Sequence, residues 1–110
     1  DAIRKVEEVG RAAGIEHPVQ GTVAVSDGTT LWAFRYSSSR RSRTLFHSAD
    51  MPTLREMFPD FDKFSVFGDR ARVIVSEPLN NLHGAFLEVE ESTVVVVDRD
   101  GYHYEPFLAA

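Results

Sequence analysis

GTVAVSDGTTLWAFRYS, Gly21–Ser37, is the stretch whose reading decides the fold. Val19, Gly21, Val23 and Val25 alternate with Gln20, Thr22 and Ala24, the two-residue period of a strand. Ser26-Asp27-Gly28-Thr29 then supplies a turn built on Asp-Gly, which admits the positive φ a tight reversal needs. The return segment, Leu31–Tyr36, carries the only tryptophan of the chain. It sets Trp32, Phe34 and Tyr36 on one face and Leu31, Ala33 and Arg35 on the other. Both faces are largely apolar, so this strand is expected to be covered on both sides; a one-sided sheet would show polar residues at every second position.

Upstream, Ala2, Ile3, Val6, Val9 and Ala13 recur at three- and four-residue steps and mark one face of a helix, with Arg4, Lys5, Glu7, Glu8 and Arg11 opposite. Gly14 stands where a helix commonly ends in a left-handed residue, and Pro18 prevents a restart. Downstream, Ser37–Ser42 reads as a polar loop and Thr44–Ser48 as a short strand. Pro52–Phe58 reads as a helix with Leu54, Met57 and Phe58 inward, entered after Asp50 and stopped by Pro59. Arg72–Ser76, Ala85–Val89, Thr93–Val97 and Tyr102–Phe107 complete the strands, with turns at Gly68-Asp69, Glu90-Glu91-Ser92 and Asp98–Gly101 and a loop over Asn80–Gly84.

The 110 residues amount to one domain, with 43% apolar and 26% charged residues. No apolar run approaches the ~18 residues of a membrane span, so no membrane contact is expected. The net charge of −5 argues against nucleic acid as the main partner, because neutralising phosphates takes a basic surface. The absence of cysteine rules out disulfides and a cysteine nucleophile within the chain and fits a cytoplasmic home. The chain opens at Asp1 and passes at once into helical periodicity. Asp1 could cap that helix, but a cut through a longer protein is the favoured expectation.

Residues with chemical potential are present without forming a site. His17, His47, His83 and His103 have no metal-ligand spacing and read as hydrogen-bonded or exposed histidines. Phe61, Phe64 and Phe67 read as packing beneath a loop. Ser76-Glu77 is a buried-looking polar pair for which Arg35 or Arg72 could be the cation. Glu90-Glu91 reads as a turn. No serine sits in a GxSxG turn, and Gly10 and Gly14 do not form a phosphate loop. Arg40, Arg41 and Arg43 offer an anion contact or, more simply, a solvated loop tip.

The order of segments is more specific than any one of them. The run from Ile3 through LWAFRYSS (Leu31–Ser38), LREMFPD (Leu54–Asp60) and VSEPL (Val75–Leu79) to Glu105-Pro106-Phe107 resembles the C-terminal part of small stand-alone class II glutamine amidotransferases, the YafJ-like group, which includes the amidohydrolase of ergothioneine synthesis. The resemblance implies an α+β fold of the N-terminal-nucleophile hydrolase type, an αββα sandwich of two antiparallel sheets between helical layers. It also implies an enzyme whose N-terminal cysteine attacks the side-chain amide of glutamine or a γ-glutamyl compound and forms a thioester that water cleaves. That cysteine, the oxyanion hole and the substrate-binding groups belong to the N-terminal half of such proteins. Residues 1–110 are therefore expected to be the C-terminal, structural portion of one amidotransferase domain, inert alone. No catalytic, substrate-binding or metal residue is assigned, and no cofactor is implied. The expected partner is the N-terminal half of the same protein or a self-pairing copy. The alternatives are a self-contained β-rich binding or assembly module that keeps the topology without catalysis, and an anion-binding domain using Arg35, Arg40, Arg41 and Arg43.

Overall fold

In the computed structural model, which describes residues 2–78 and 84–108, the hairpin forms as its sequence requires. Strand β1 (Gln20–Ser26) pairs antiparallel with β2 (Leu31–Ser37), Val23 opposite Phe34 and Val25 opposite Trp32. Asp27 builds the turn. Its Oδ1 accepts the N–H groups of Thr29 and Thr30, each at 2.9 Å, and the Thr29 hydroxyl, while Gly28 takes φ +96°. These donors hold the Asp27 carboxyl below its ordinary range.

Three further strands, β3 (Phe46–Ser48), β4 (Ile74–Val75) and β5 (Phe86–Glu88), make a small antiparallel sheet in the order β4-β3-β5. The last two, β6 (Thr93–Asp98) and β7 (Gly101–Pro106), join the hairpin in a four-stranded sheet ordered β1-β2-β6-β7. Strand β2 is thus bonded along both edges.

Its two faces look in different directions. Ala33 packs with Val95, Val97, Leu45 and Val89 between the sheets, each buried valine or leucine contributing about 1.5–3 kcal/mol. Tyr36, on the other face, meets helix α1 (Ala2–Ala12). The far side of the small sheet carries helix α2 (Met51–Met57) and a 3-10 helix, Asp62–Val66, over a core of Met51, Leu54, Phe64, Ala85 and Phe86. Asp50 starts α2 by accepting the Thr53 N–H at 2.9 Å and the Thr53 hydroxyl at 2.8 Å, with Pro52 in the first turn. The layers therefore run helix, sheet, sheet, helix, the α+β sandwich that the sequence resemblance implies.

Two expectations need correction. The strand read at Arg72–Ser76 pairs only over Ile74–Val75. At its start the Ser48 N–H bonds the Val73 carbonyl while the Ser48 Oγ, in place of a ladder carbonyl, accepts the Val73 N–H, both at 2.8 Å, and at its end the Thr44 hydroxyl donates to the Ser76 carbonyl at 2.7 Å. The second correction concerns α1. Val6 and Val9 are 51% and 58% exposed, whereas Glu7 is 6% exposed. The Glu7 carboxylate accepts hydroxyl protons from Tyr36 at 2.5 Å and Ser38 at 2.7 Å, with Arg11 at 3.6 Å. At Gly10 a Cβ would lie 2.5 Å from the Pro18 Cβ. Polar anchoring and a close backbone approach turn the row Ile3, Glu7, Gly10 toward the sheet. The loop read over Asn80–Gly84 lies outside the described residues except for Gly84.

The hydrogen bonds from Ser38 and then Tyr36 lower the Glu7 pKa below 4.5 against the opposing effect of burial. A lowered folded pKa stabilises above the unfolded value and ceases to do so as pH falls through the folded one. Glu7→Ala should cost about 1–3 kcal/mol, since it strands two buried hydroxyls. Urea unfolding between pH 7 and 3 checks this: the wild type should lose stability below about pH 4.5, and Glu7→Gln should flatten that limb.

Candidate functional site

The polar residues that sequence alone left scattered gather at one end of the sandwich, around Arg35. That guanidinium, on the inter-sheet face of β2, is 12% exposed in its side chain. Its Nη1 donates to the Val89 carbonyl at 2.5 Å and to Glu88 at 3.4 Å, and its Nε donates to the Ser42 hydroxyl at 3.1 Å. Glu91 closes the ring. It accepts the Ser42 N–H at 2.6 Å and the Ser42 hydroxyl, and lies 3.8 Å from Arg35. A buried cation is tolerable only when paired and hydrogen-bonded in this way.

Beside this ring a cleft of about 500 Å³ opens between the sheets, lined by Glu88, Glu90, Glu91, Ser92, Tyr104 and Glu105 among others. Its Tyr104 reaches the buried His47. The His47 Nδ1 lies 3.3 Å from the Ser48 carbonyl, which can only accept, so Nδ1 carries the proton. Nε2 then accepts the Tyr104 hydroxyl proton at 2.5 Å. Burial pushes the His47 pKa below 6.5, Arg72 lowers it further, and the Ser48 carbonyl opposes both. His47 is held neutral and its free lone pair is occupied. The Tyr102 ring packs 4.3 Å from the imidazole, and the Arg72 guanidinium lies over the same ring at 5.6 Å.

Such a site can orient a donor or hold a cationic group. Among the described residues no serine or threonine hydroxyl hydrogen-bonds a histidine ring, and no group of three or more His, Asp or Glu could hold a metal.

The residues singled out by sequence are dispersed. His17 is exposed beside Glu16, and His103 pairs with Glu105 at 2.9 Å on the opposite face of β7 from Tyr104. His83 lies outside the described residues. Ser76 and Glu77 are exposed, not buried, and Arg35 is engaged elsewhere, because the strand ends at Val75. Phe61 and Phe64 do pack, rings 4.8 Å apart, while Phe67 is 39% exposed. Arg40 is structural. At φ +62° it donates to the Ser92 hydroxyl at 2.9 Å and the Leu108 carbonyl at 2.8 Å, and stacks 5.0 Å over Tyr36. Arg41 and Arg43 are exposed. Sequence reading missed Glu7, Glu91 and Tyr104, whose partners are 29, 49 and 57 residues away.

The opposite face of the four-stranded sheet carries a second concavity of about 300 Å³, apolar, between α1 and β1, lined by Ile3, Val19, Val23, Val25, Phe34 and Phe107 among others. Val23 and Val25 are 56% and 54% exposed.

No protein-family model and no curated protein matches the chain. A solved structure does: a glutamine aminotransferase class-II domain protein from Silicibacter pomeroyi superposes on 99% of this chain with a TM-score of 0.74 at 25% sequence identity. This chain has a class II glutamine amidotransferase-like fold. It spans 42% of the length of that structure.

Neutral His47 makes a further stability signature. Its folded pKa is lowered, so the unfolded chain binds more protons below about pH 6.5 and stability falls with pH there. His47→Phe should remove that slope, and Tyr104→Phe should cost about 1–3 kcal/mol by leaving Nε2 unpaired. Thermal melts at pH 5.5 and 8 report both effects.

Proposed function

We propose that this chain is the C-terminal scaffold half of a class II glutamine amidotransferase of the small stand-alone, YafJ-like kind, an enzyme that hydrolyses the side-chain amide of glutamine or a γ-glutamyl compound. The observation that carries the reading is the asymmetric superposition: nearly all of this chain matches less than half of a glutamine aminotransferase class-II domain protein. In this reading the remainder brings the N-terminal cysteine, its α-amino base and the oxyanion hole, and forms the thioester that water cleaves. The present residues supply rigid layers: β2 clamped by Arg35 on one face and by Glu7 on the other. The exposed valines of β1 and the apolar concavity beneath α1 support the same reading, since the remainder would cover them.

Ammonia release from glutamine is the test. The chain alone should release none above background, and adding the N-terminal half of the same protein should restore release. Turnover by the chain alone would overturn the reading. A folded but inactive mixture would favour the non-catalytic assembly module.

A further inference from the structure

The four-stranded sheet has two unlike edges. Strand β7 guards its own with His103, Glu105 and Pro106, the charges and proline that discourage edge pairing. Strand β1, Gln20–Ser26, carries no charge and no proline over seven residues, and among the described residues its only strand neighbour is β2.

The orientation of its backbone follows from the ends of the hairpin. Asp27 N–H bonds the Thr30 carbonyl, and Ser38 N–H bonds the Val19 carbonyl. Antiparallel pairs alternate between bonded and non-bonded, so odd residues of β1 bond inward to β2. Gln20, Thr22, Ala24 and Ser26 turn their N–H and C=O groups outward. Among the described residues nothing meets the outward groups of Thr22 and Ala24.

We propose that this edge is a homodimer interface, in which β1 pairs antiparallel with β1 of a second copy about a twofold axis at Val23. The strand is complementary to itself in that register. Val23 meets Val23 of the partner, Thr22 meets Ala24, Gly21 meets Val25 and Gln20 meets Ser26, so all seven residues pair and no like charges oppose. The ends match in charge. Arg43 lies with Gln20, Gly21 and Thr22 around one small hollow. The partner's Ser26 falls opposite Gln20, which brings the Asp27 carboxylate toward Arg43. The two sheets become one of eight strands, and the exposed valines of both copies form one surface. The inference stands on the edge itself and does not depend on the amidotransferase reading.

Light scattering of the purified protein, at concentrations on the order of 100 µM, should give a dimer. Val23→Lys places like charges face to face and should raise the dimer dissociation constant roughly tenfold or more. An equimolar mixture of Val23→Lys with Val23→Glu should recover association. Ala24→Pro removes an outward N–H and should also give monomers, while far-UV circular dichroism and Trp32 fluorescence stay those of the folded chain. In the wild-type dimer the Thr22 and Ala24 amides should be protected from hydrogen exchange. A monomeric wild type, a dimer that survives both substitutions, or protection of those amides in a monomer would overturn the proposal.

Discussion

Everything in this fold is arranged around a strand that can be left open on no side. Strand β2 is bonded to β1 on one edge and β6 on the other. It carries apolar side chains on both faces, with Ala33 and Tyr36 fully inside. A second sheet meets one face, where Ala33 joins Val95 and Val97 against Leu45 and Val89. A helix meets the other. The outer face of the second sheet, with Phe46, Val75 and Phe86, must in turn be covered by α2. The four layers follow from one two-faced strand through successive burial.

Polar anchors decide how those layers sit. Burial is non-directional and would tolerate α1 in several rotations; Glu7 allows one, because a carboxylate taken out of water demands specific donors. Tyr36 and Ser38 supply them from the end of β2. Arg35 does the reverse on the other face, where a buried cation demands acceptors and draws Ser42, Glu91 and the Val89 carbonyl around it. The polar loop after β2 thus joins two opposite anchors that lie within four positions of one another. Ser38 and Ser42 are ligands of charged groups, not idle loop residues, and Arg40 ties the loop to Ser92 and Leu108.

The hairpin and the capped start of α2 were legible because each rests on local pattern: alternation, Asp-Gly, Asp-x-Pro before an apolar helix face; the four-layer class was implied by the resemblance in the order of segments. The rotation of α1 was not legible. Its valines trace a convincing stripe, yet periodicity registers hydrophobicity and is blind to a carboxylate whose donors lie 29 and 31 residues away. The same blindness placed Glu77 inside and left Glu91 in a featureless turn. The first of these follows from where pairing stops: β4 ends at Val75, opposite Phe46, the Ser76 carbonyl accepts the Thr44 hydroxyl instead of a ladder N–H, and Glu77 stands in solvent.

The cleft shows why site chemistry is harder to read than architecture. Its walls come from β5, the turn after it, β6 and β7. Its deepest partner, His47, lies on β3, more than fifty residues before Tyr104. Nothing in the neighbourhood of His47 in sequence marks it as different from His17 or His103. What distinguishes it is enclosure: with Nδ1 given to a carbonyl and Nε2 given to a phenol, it is a neutral structural group between two sheets. The nearby charges are similarly engaged, Arg35 by acceptors, Glu88 and Glu91 by Arg35, and Arg72 by the Tyr102 ring. Groups that satisfy one another so fully position a fold well and attack a substrate poorly. It is the disposition of the layers that gives this chain its class II glutamine amidotransferase-like fold.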